Sequence, residues 1–204
     1  MRKAGERRYE PKDSLDFFPT PPWASRALFK HVLHKGYGDR LLSEMSVLEP
    51  ACGNGKMAEV LKDNFATVSA ADIEDYGYPS QRGDYLQSDF GEHDWMITNP
   101  PFNRAEEFIH KALATSRVGV AVLVRLAFLE TIGRYNNLFK HNPPTKAAVF
   151  VERVPFAKGR LDAKMSSSVA TSWLIWEHEH QSNQTELIWI PPCRSELECE
   201  GDYD

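Results

Sequence analysis

The 204 residues suffice for one domain with a sizeable core, and 42% hydrophobic against 26% charged residues is an ordinary composition for a soluble protein. No apolar run is long enough to span a bilayer, and Met1–Glu10 lacks the apolar stretch of a signal peptide, so a cytoplasmic protein without a membrane partner is expected. The net charge of −5 argues against a uniformly positive surface, and three cysteines outside CxxC spacing (Cys52, Cys193, Cys199) argue against a disulfide framework or zinc ribbon.

Residues 1–16 read as a flexible segment holding the basic cluster Arg2, Lys3, Arg7 and Arg8. Phe17-Phe18-Pro19-Thr20-Pro21-Pro22-Trp23 follows. Thr20 suits a helix N-cap with Pro21 at the first position, and Ala24, Leu28 and Val32 then form an apolar stripe ending near Gly36 and Gly38. Phe17 and Phe18 lie either over a pocket or as a staple on the core. Met45–Leu48 reads as a strand, followed by Glu49-Pro50-Ala51-Cys52-Gly53-Asn54-Gly55 and a helix bearing Met57, Val60 and Leu61. Strand, glycine-rich turn and helix open a nucleotide-binding α/β unit. The turn is neither GxGxxG nor a phosphate-binding loop, so a ligand without phosphates fits it better. Glu49 would repel phosphate but suits an ammonium.

A second strand, Thr67–Ala71, ends at Asp72, placed either to bind a ribose or to cap a turn. Residues 73–83 read as loop, and Gly83–Leu86 as a short strand end. There Asp84 either accepts from an adenine amino group, with Tyr85 or Leu86 on the ring, or is a surface acid.

Trp95–Ile97 is a short buried strand that runs into Thr98-Asn99-Pro100-Pro101-Phe102. The prolines stiffen this corner, the Asn99 carboxamide supplies an acceptor, and Phe102 offers a stacking face. One reading is a clamp for an aromatic exocyclic amine. The other is a stiff turn into a helix, with Asn103 as N-cap and Glu106 closing a capping box. Ala105, Phe108, Ile109 and Ala112 then mark a helix, and Val118–Val124 a fully buried strand with Arg125 at its carboxyl end. A short helix over Glu130–Phe139, strands over Ala147–Val151 and Ser172–Trp176, and an edge strand over Glu186–Ile190 complete the domain, taken as 17–192. The connection Arg153–Ala170 holds Lys158, Arg160, Lys164 and Ser166–Ser168 and reads as a functional loop. His178 and His180 flank Glu179 without a third ligand, so a solvated turn is expected and no metal. Residues 193–204 form an acidic tail, read as a solvated, frayed end.

These motifs together resemble class I S-adenosylmethionine-dependent methyltransferases, and among them the amino-group enzymes of the N6-adenine DNA type. Glu49–Gly55 is similar to that family's cofactor glycine motif, Asp72 to its ribose-binding acid, Asp84 to the acid near the cofactor adenine, and Asn99-Pro100-Pro101-Phe102 to its catalytic motif. Phe18-Pro19-Thr20-Pro21 resembles the element beside the cofactor methionine, and the motif order resembles the gamma arrangement. The resemblance runs from about Phe17 to Glu177. It implies an α/β, Rossmann-like fold: a mostly parallel seven-stranded sheet, an antiparallel strand near the C-terminus, and helices on both faces.

It also implies S-adenosylmethionine as methyl donor, leaving S-adenosylhomocysteine. The implied cofactor-binding set is Phe18, Thr20, Pro21, Glu49, Ala51, Gly53, Asn54, Gly55, Asp72, Ile73, Asp84, Tyr85 and Asn99. DNA is the implied substrate, with Phe102 stacking on a flipped adenine and Arg125, Lys158, Arg160 and Lys164 as phosphate contacts. The same motif serves RNA adenine or a protein glutamine amide, and a cofactor-binding module without turnover is the non-enzymatic alternative. Restriction-linked gamma enzymes carry a large target-recognition region after the catalytic motif. Here only the loops at 126–145 and 153–171 are available to read bases. Oligomeric state is left open.

Overall fold

The computed structural model describes residues 17–164, 168–180 and 183–203. The basic cluster Arg2–Arg8, the expected flexibility of 1–16, and Ser166 and Ser167 lie outside those residues.

Helix α1 (Pro22–His31) buries Trp23, Ala27 and Leu28 completely. Pro21 is its N-cap and Pro22 its first residue, one position later than the sequence suggests, and no side chain caps the end. Thr20 is therefore available to another partner. The helix stops at His31; Gly36 and Gly38 build a small hairpin instead, β1 (Gly36–Tyr37) against β2 (Arg40–Leu41), with Gly38 at φ +57°.

The main sheet contains β3 (Ser46–Glu49), β4 (Thr67–Asp72), β5 (Gln81–Arg82), β6 (His93–Thr98), β7 (Ser116–Arg125), β8 (Lys146–Phe150), β9 (Thr171–Glu177) and β10 (Glu186–Ile190). Their order across the sheet is β10-β8-β9-β7-β6-β3-β4-β5. Neighbours are parallel except β9, which runs antiparallel to both β7 and β8. This is the mostly parallel sheet with one reversed strand that the resemblance implied. It carries eight strands rather than seven, because β10 adds a parallel edge strand beyond β8. Gly83–Leu86 is a turn, not a strand end: the Gln87 and Ser88 N–H groups donate to the Asp84 carbonyl at 3.0 and 2.9 Å. The β ladder lies just before it, at Gln81–Arg82.

Both faces of the sheet are covered, which explains the continuous apolar runs of β6 and β7. Trp95, Ile97, Ala121 and Leu123 pack under α1 and α2 (Lys56–Lys62), with Leu28, Met57 and Leu61. Met96, Val120, Val122 and Leu174 pack under α3 (Ala105–Thr115), with Ile109 and Ala112. The buried Trp173 indole N–H donates to the Ala24 carbonyl at 3.1 Å and so ties β9 to α1.

At the amino end of the sheet, Asp94 is a hub. It accepts from Arg40 at 2.9 Å, from the Ser46 N–H at 2.8 Å and from Arg117 at 3.2 Å. At the other extremity, the acidic tail is docked rather than frayed. The Asp202 carboxylate takes a two-pronged bond from Arg26 at 2.8 and 2.9 Å and is 5% exposed, while Glu196 pairs with Lys30. Among the described residues no helix is long and apolar enough to cross a membrane, and no group of His, Cys, Asp and Glu is arranged to hold a metal. His178–His180 is a short 3-10 turn.

Candidate active site

The chain runs outward from β3 through β4 to β5, then returns past β3 to β6. The strand order therefore reverses between β3 and β6, and a crevice opens there at the carboxyl ends. A cavity of about 220 Å³ fills it. Glu49 from the end of β3, Asp72 from the end of β4 and Asn99 after β6 all line it, together with the Phe18–Thr20 strap before α1.

Asn99 is held in one orientation. Its Nδ2 donates to the Phe18 carbonyl at 3.0 Å and to Thr20 Oγ1 at 3.1 Å. A backbone carbonyl can only accept, so the nitrogen must face the strap. Both amide hydrogens are thereby committed, and what Asn99 has left to offer is its acceptor oxygen. The corner that carries it is closed by the Arg104 N–H on the Pro101 carbonyl at 3.0 Å. α3 begins at Ala105 with Arg104 as N-cap and no side-chain cap, so Asn103 is not the N-cap of the alternative reading.

Two carboxyl groups define the deep end. Asp72 bridges the loops around it: its Oδ2 accepts from the Gly53 N–H at 2.7 Å and its Oδ1 from the Glu74 N–H at 3.0 Å. Burial pushes its carboxyl above the usual range, and those N–H bonds oppose the shift. Glu49 is 2% exposed, and its Oε2 has no hydrogen-bond partner among the described residues. Burial first, and the neighbouring Asp72 charge second, raise the Glu49 carboxyl well above the ordinary range. A buried acceptor with nothing to accept from, at the wall of a cavity, is the place for a cationic or hydrogen-donating ligand group.

The cavity gathers Phe18, Thr20, Glu49, Ala51, Gly53, Asn54, Asp72, Ile73, Asp84, Tyr85, Asn99 and Pro101. Pro21, Gly55, Pro100 and Phe102 are not on its wall. Pro21 caps α1, and Gly55 (φ +80°) is walled off by Tyr78, whose Cδ2 lies 2.1 Å from where a Cβ would stand. Phe102 sits beside the cavity. Its ring is 5.4 Å from that of Phe18, and the Arg125 guanidinium stacks on it at 4.0 Å. Asp84 reaches the cavity while holding the Leu86 N–H at 2.9 Å and Arg104 at 3.5 Å.

Among residues that sequence reasoning left unassigned, Tyr76 and Arg104 also line the cavity. Tyr76 comes from a loop without periodicity and gave no signal. Phe17 resolves as a pocket cover: it stacks on Tyr76 at 4.1 Å and 18°, and its ring lies 2.5 Å from a Cβ built on Gly53. The Gly159 N–H donates to the Phe17 carbonyl at 2.9 Å, which brings the loop of Lys158 and Arg160 up to the strap. Arg160 and Lys164 are exposed.

The strand order, the single reversed strand and the cavity at the reversal point define a class: this is the fold of the class I S-adenosylmethionine-dependent methyltransferases. Among solved structures, a Listeria monocytogenes chain assigned to that class superposes with a TM-score of 0.59 at 15% identity, over 84% of this chain and 65% of that one. A Pyrococcus horikoshii chain assigned as an RNA methyltransferase gives 0.59 at 16%, over 83% and 90%. The type I restriction-modification methyltransferase subunit from Streptococcus thermophilus gives 0.56 at 10%, over 83% of this chain and less than half, 45%, of its own. Neither a protein-family model nor a curated protein sequence matches the chain.

Proposed function

We propose that this protein transfers a methyl group from S-adenosylmethionine to the exocyclic N6 amine of adenine in DNA, the base being turned out of the duplex. The observation that carries the reading is Asn99, whose two amide hydrogens are tied back to Phe18 and Thr20 so that an acceptor oxygen is presented.

The cavity residues fit the donor. Glu49 has a buried oxygen without a partner among the described residues, suited to an ammonium, Asp72 keeps lone pairs for ribose hydroxyls, and Asp84, on the cavity wall, is the acceptor assigned to the adenine amino group. The bound donor supplies an electrophilic methyl carbon on a sulfonium sulfur. The chain supplies the nucleophile's environment. The adenine amine is a poor nucleophile because its lone pair is delocalised into the ring. The Asn99 oxygen and the Pro100 carbonyl accept its two hydrogens, favour a pyramidal nitrogen and stabilise the positive charge that grows there. Phe102, beside the cavity rather than in it, is assigned to stack on the base, while the strap orients Asn99. Arg125 stacks on Phe102, and Lys158 and Arg160 flank the Gly159 bond to the strap; with Lys164 they are the phosphate contacts of this reading.

The test is incubation with labelled S-adenosylmethionine and, separately, DNA, RNA and protein, followed by digestion of the labelled polymer. N6-methyladenine in DNA is expected. RNA is the second reading, because the Pyrococcus horikoshii neighbour is assigned to that substrate and the clamp would hold its adenine equally. Label confined to RNA or to protein glutamine overturns the DNA assignment. Asn99→Ala is expected to keep donor binding and to lose about 10²–10³-fold in turnover, about 3 kcal/mol. Turnover near the parent rate removes Asn99 from the chemistry.

A further inference from the structure

The segment that follows β7 has a feature the proposed chemistry does not use. Arg125 ends the strand on the face of Phe102, and the chain then enters a 3-10 turn, Leu126–Leu129, pinned by the Leu126 N–H on the Ala170 carbonyl at 2.8 Å. Phe128 is buried in the core, as is Leu138 ten residues on. Between these anchors stands a built turn. Thr131 Oγ1 accepts the Arg134 N–H at 3.2 Å, and the Arg134 guanidinium donates to the Phe128 carbonyl at 3.1 Å while lying 4.2 Å over the Phe128 ring. At its tip Ile132 is 83% exposed, the most of any large hydrophobic residue described, with Tyr135 at 57% and Leu129 at 37% beside it.

A mobile loop gains nothing by ending in an isoleucine, but a rigid knob does if the side chain has a slot to enter. Turning a base out of a duplex leaves such a slot, one base thick, lined by the flat faces of its neighbours. Apolar wedges at such steps keep the stack from closing. The charges agree with a nucleic-acid partner: between positions 125 and 141 the segment carries Arg125, Arg134 and Lys140 against a single acid, Glu130. The slot and Phe102 must lie close together, and the segment that carries the knob starts at Arg125, whose guanidinium lies on the Phe102 ring.

We infer that Ile132 is a wedge that enters the base stack of duplex DNA at the position vacated by the target adenine. The inference rests on the DNA reading above. Ile132→Ala is compared with the parent on a DNA that the parent methylates, presented as duplex, as the melted single strand, and as duplex with an abasic site opposite the target. The rate on plain duplex is expected to fall tenfold or more, with the single-strand and abasic rates within twofold of the parent, and Ile132→Phe is expected to restore the duplex rate. With 2-aminopurine at the target position, the fluorescence gained on binding should drop in parallel. An unchanged duplex rate, or an equal loss on all three substrates, overturns the wedge while leaving the methyltransferase reading intact. A parent that methylates only single strands also overturns it. A parent that labels no DNA overturns both readings. If Ile132→Ala instead dissociates an oligomer and keeps the duplex rate, the knob is a subunit contact and the wedge is wrong.

Discussion

Glu49 is the residue whose environment makes the sharpest demand. It is buried, has one oxygen without a partner among the described residues, and is held above the ordinary carboxyl range by burial. A ligand ammonium reverses that shift, because an adjacent positive charge favours the ionised form. Donor binding should therefore release a proton. Binding should weaken as pH falls through the raised range, since protons then compete with the ammonium. Calorimetry in buffers of different ionisation enthalpy would report that proton, and Glu49→Gln should abolish it. Asp72→Ala should weaken donor affinity and, because the Asp72 charge helps to raise the Glu49 carboxyl, move the pH dependence of binding to lower pH; unchanged affinity removes Asp72 from the site. The positions of Asn99, Asp72 and Glu49 were legible because each follows a short apolar strand directly, so the motif and its place in the fold are read together. Thr20 was legible as a candidate helix cap and, through the resemblance, as part of the element beside the cofactor methionine, but not as a partner of Asn99. Its bond to Asn99 joins residues 79 apart, and no local pattern announces such a contact.

At the scale of elements, the turn between β3 and α2 shows what its glycines do for the fold. Gly53 and Gly55 have φ of +52° and +80°, the left-handed region that favours glycine. The space beside them is taken by the protein's own rings, Phe17 at Gly53 and Tyr78 at Gly55. Gly55→Ala should lower unfolding stability by about 2 kcal/mol, from the left-handed backbone and the displaced Tyr78 ring together. A urea midpoint equal to that of the parent would contradict this. The long strands were legible from their apolar runs: Val118–Val124 lies within β7 and Glu186–Ile190 is β10. The two-residue ladders β1, β2 and β5 were not, because a pair of residues has no period to detect. Asn103 and Thr20 misled as helix caps for a related reason. Cap preference is a local tendency, and the closed turn from Pro101 to Arg104 and the Asn99 bond override it.

Over the whole molecule, two charged clusters hold distant parts of the chain together. Asp94 binds the amino end of β6 to β3 and to Arg40 and Arg117. Burial alone would raise its carboxyl, but the bonds from Arg40 and Ser46 and the Arg117 charge prevail and hold it well below the usual range. A depressed carboxyl contributes stability at neutral pH that is lost as pH falls below the ordinary aspartate range towards the folded value. Asp94→Asn should thus destabilise the protein at pH 7 and flatten its acid unfolding profile between about pH 4 and 2, as followed by circular dichroism. The tail misled for want of long-range information. Its acids read as solvated because their partners on α1, Arg26 and Lys30, lie 176 and 166 residues away. The strap before α1 has the larger consequence for kinetics. Phe17 is stacked on Tyr76, lies over Gly53 and is laced to Gly159, and both rings line the cavity. On the proposed function, spent donor would leave past this aromatic pair, and its escape is expected to set the steady pace. Rapid mixing should show a burst of one modified base per protein molecule, followed by slow cycling, and Phe17→Ala should erase the burst by speeding the second phase.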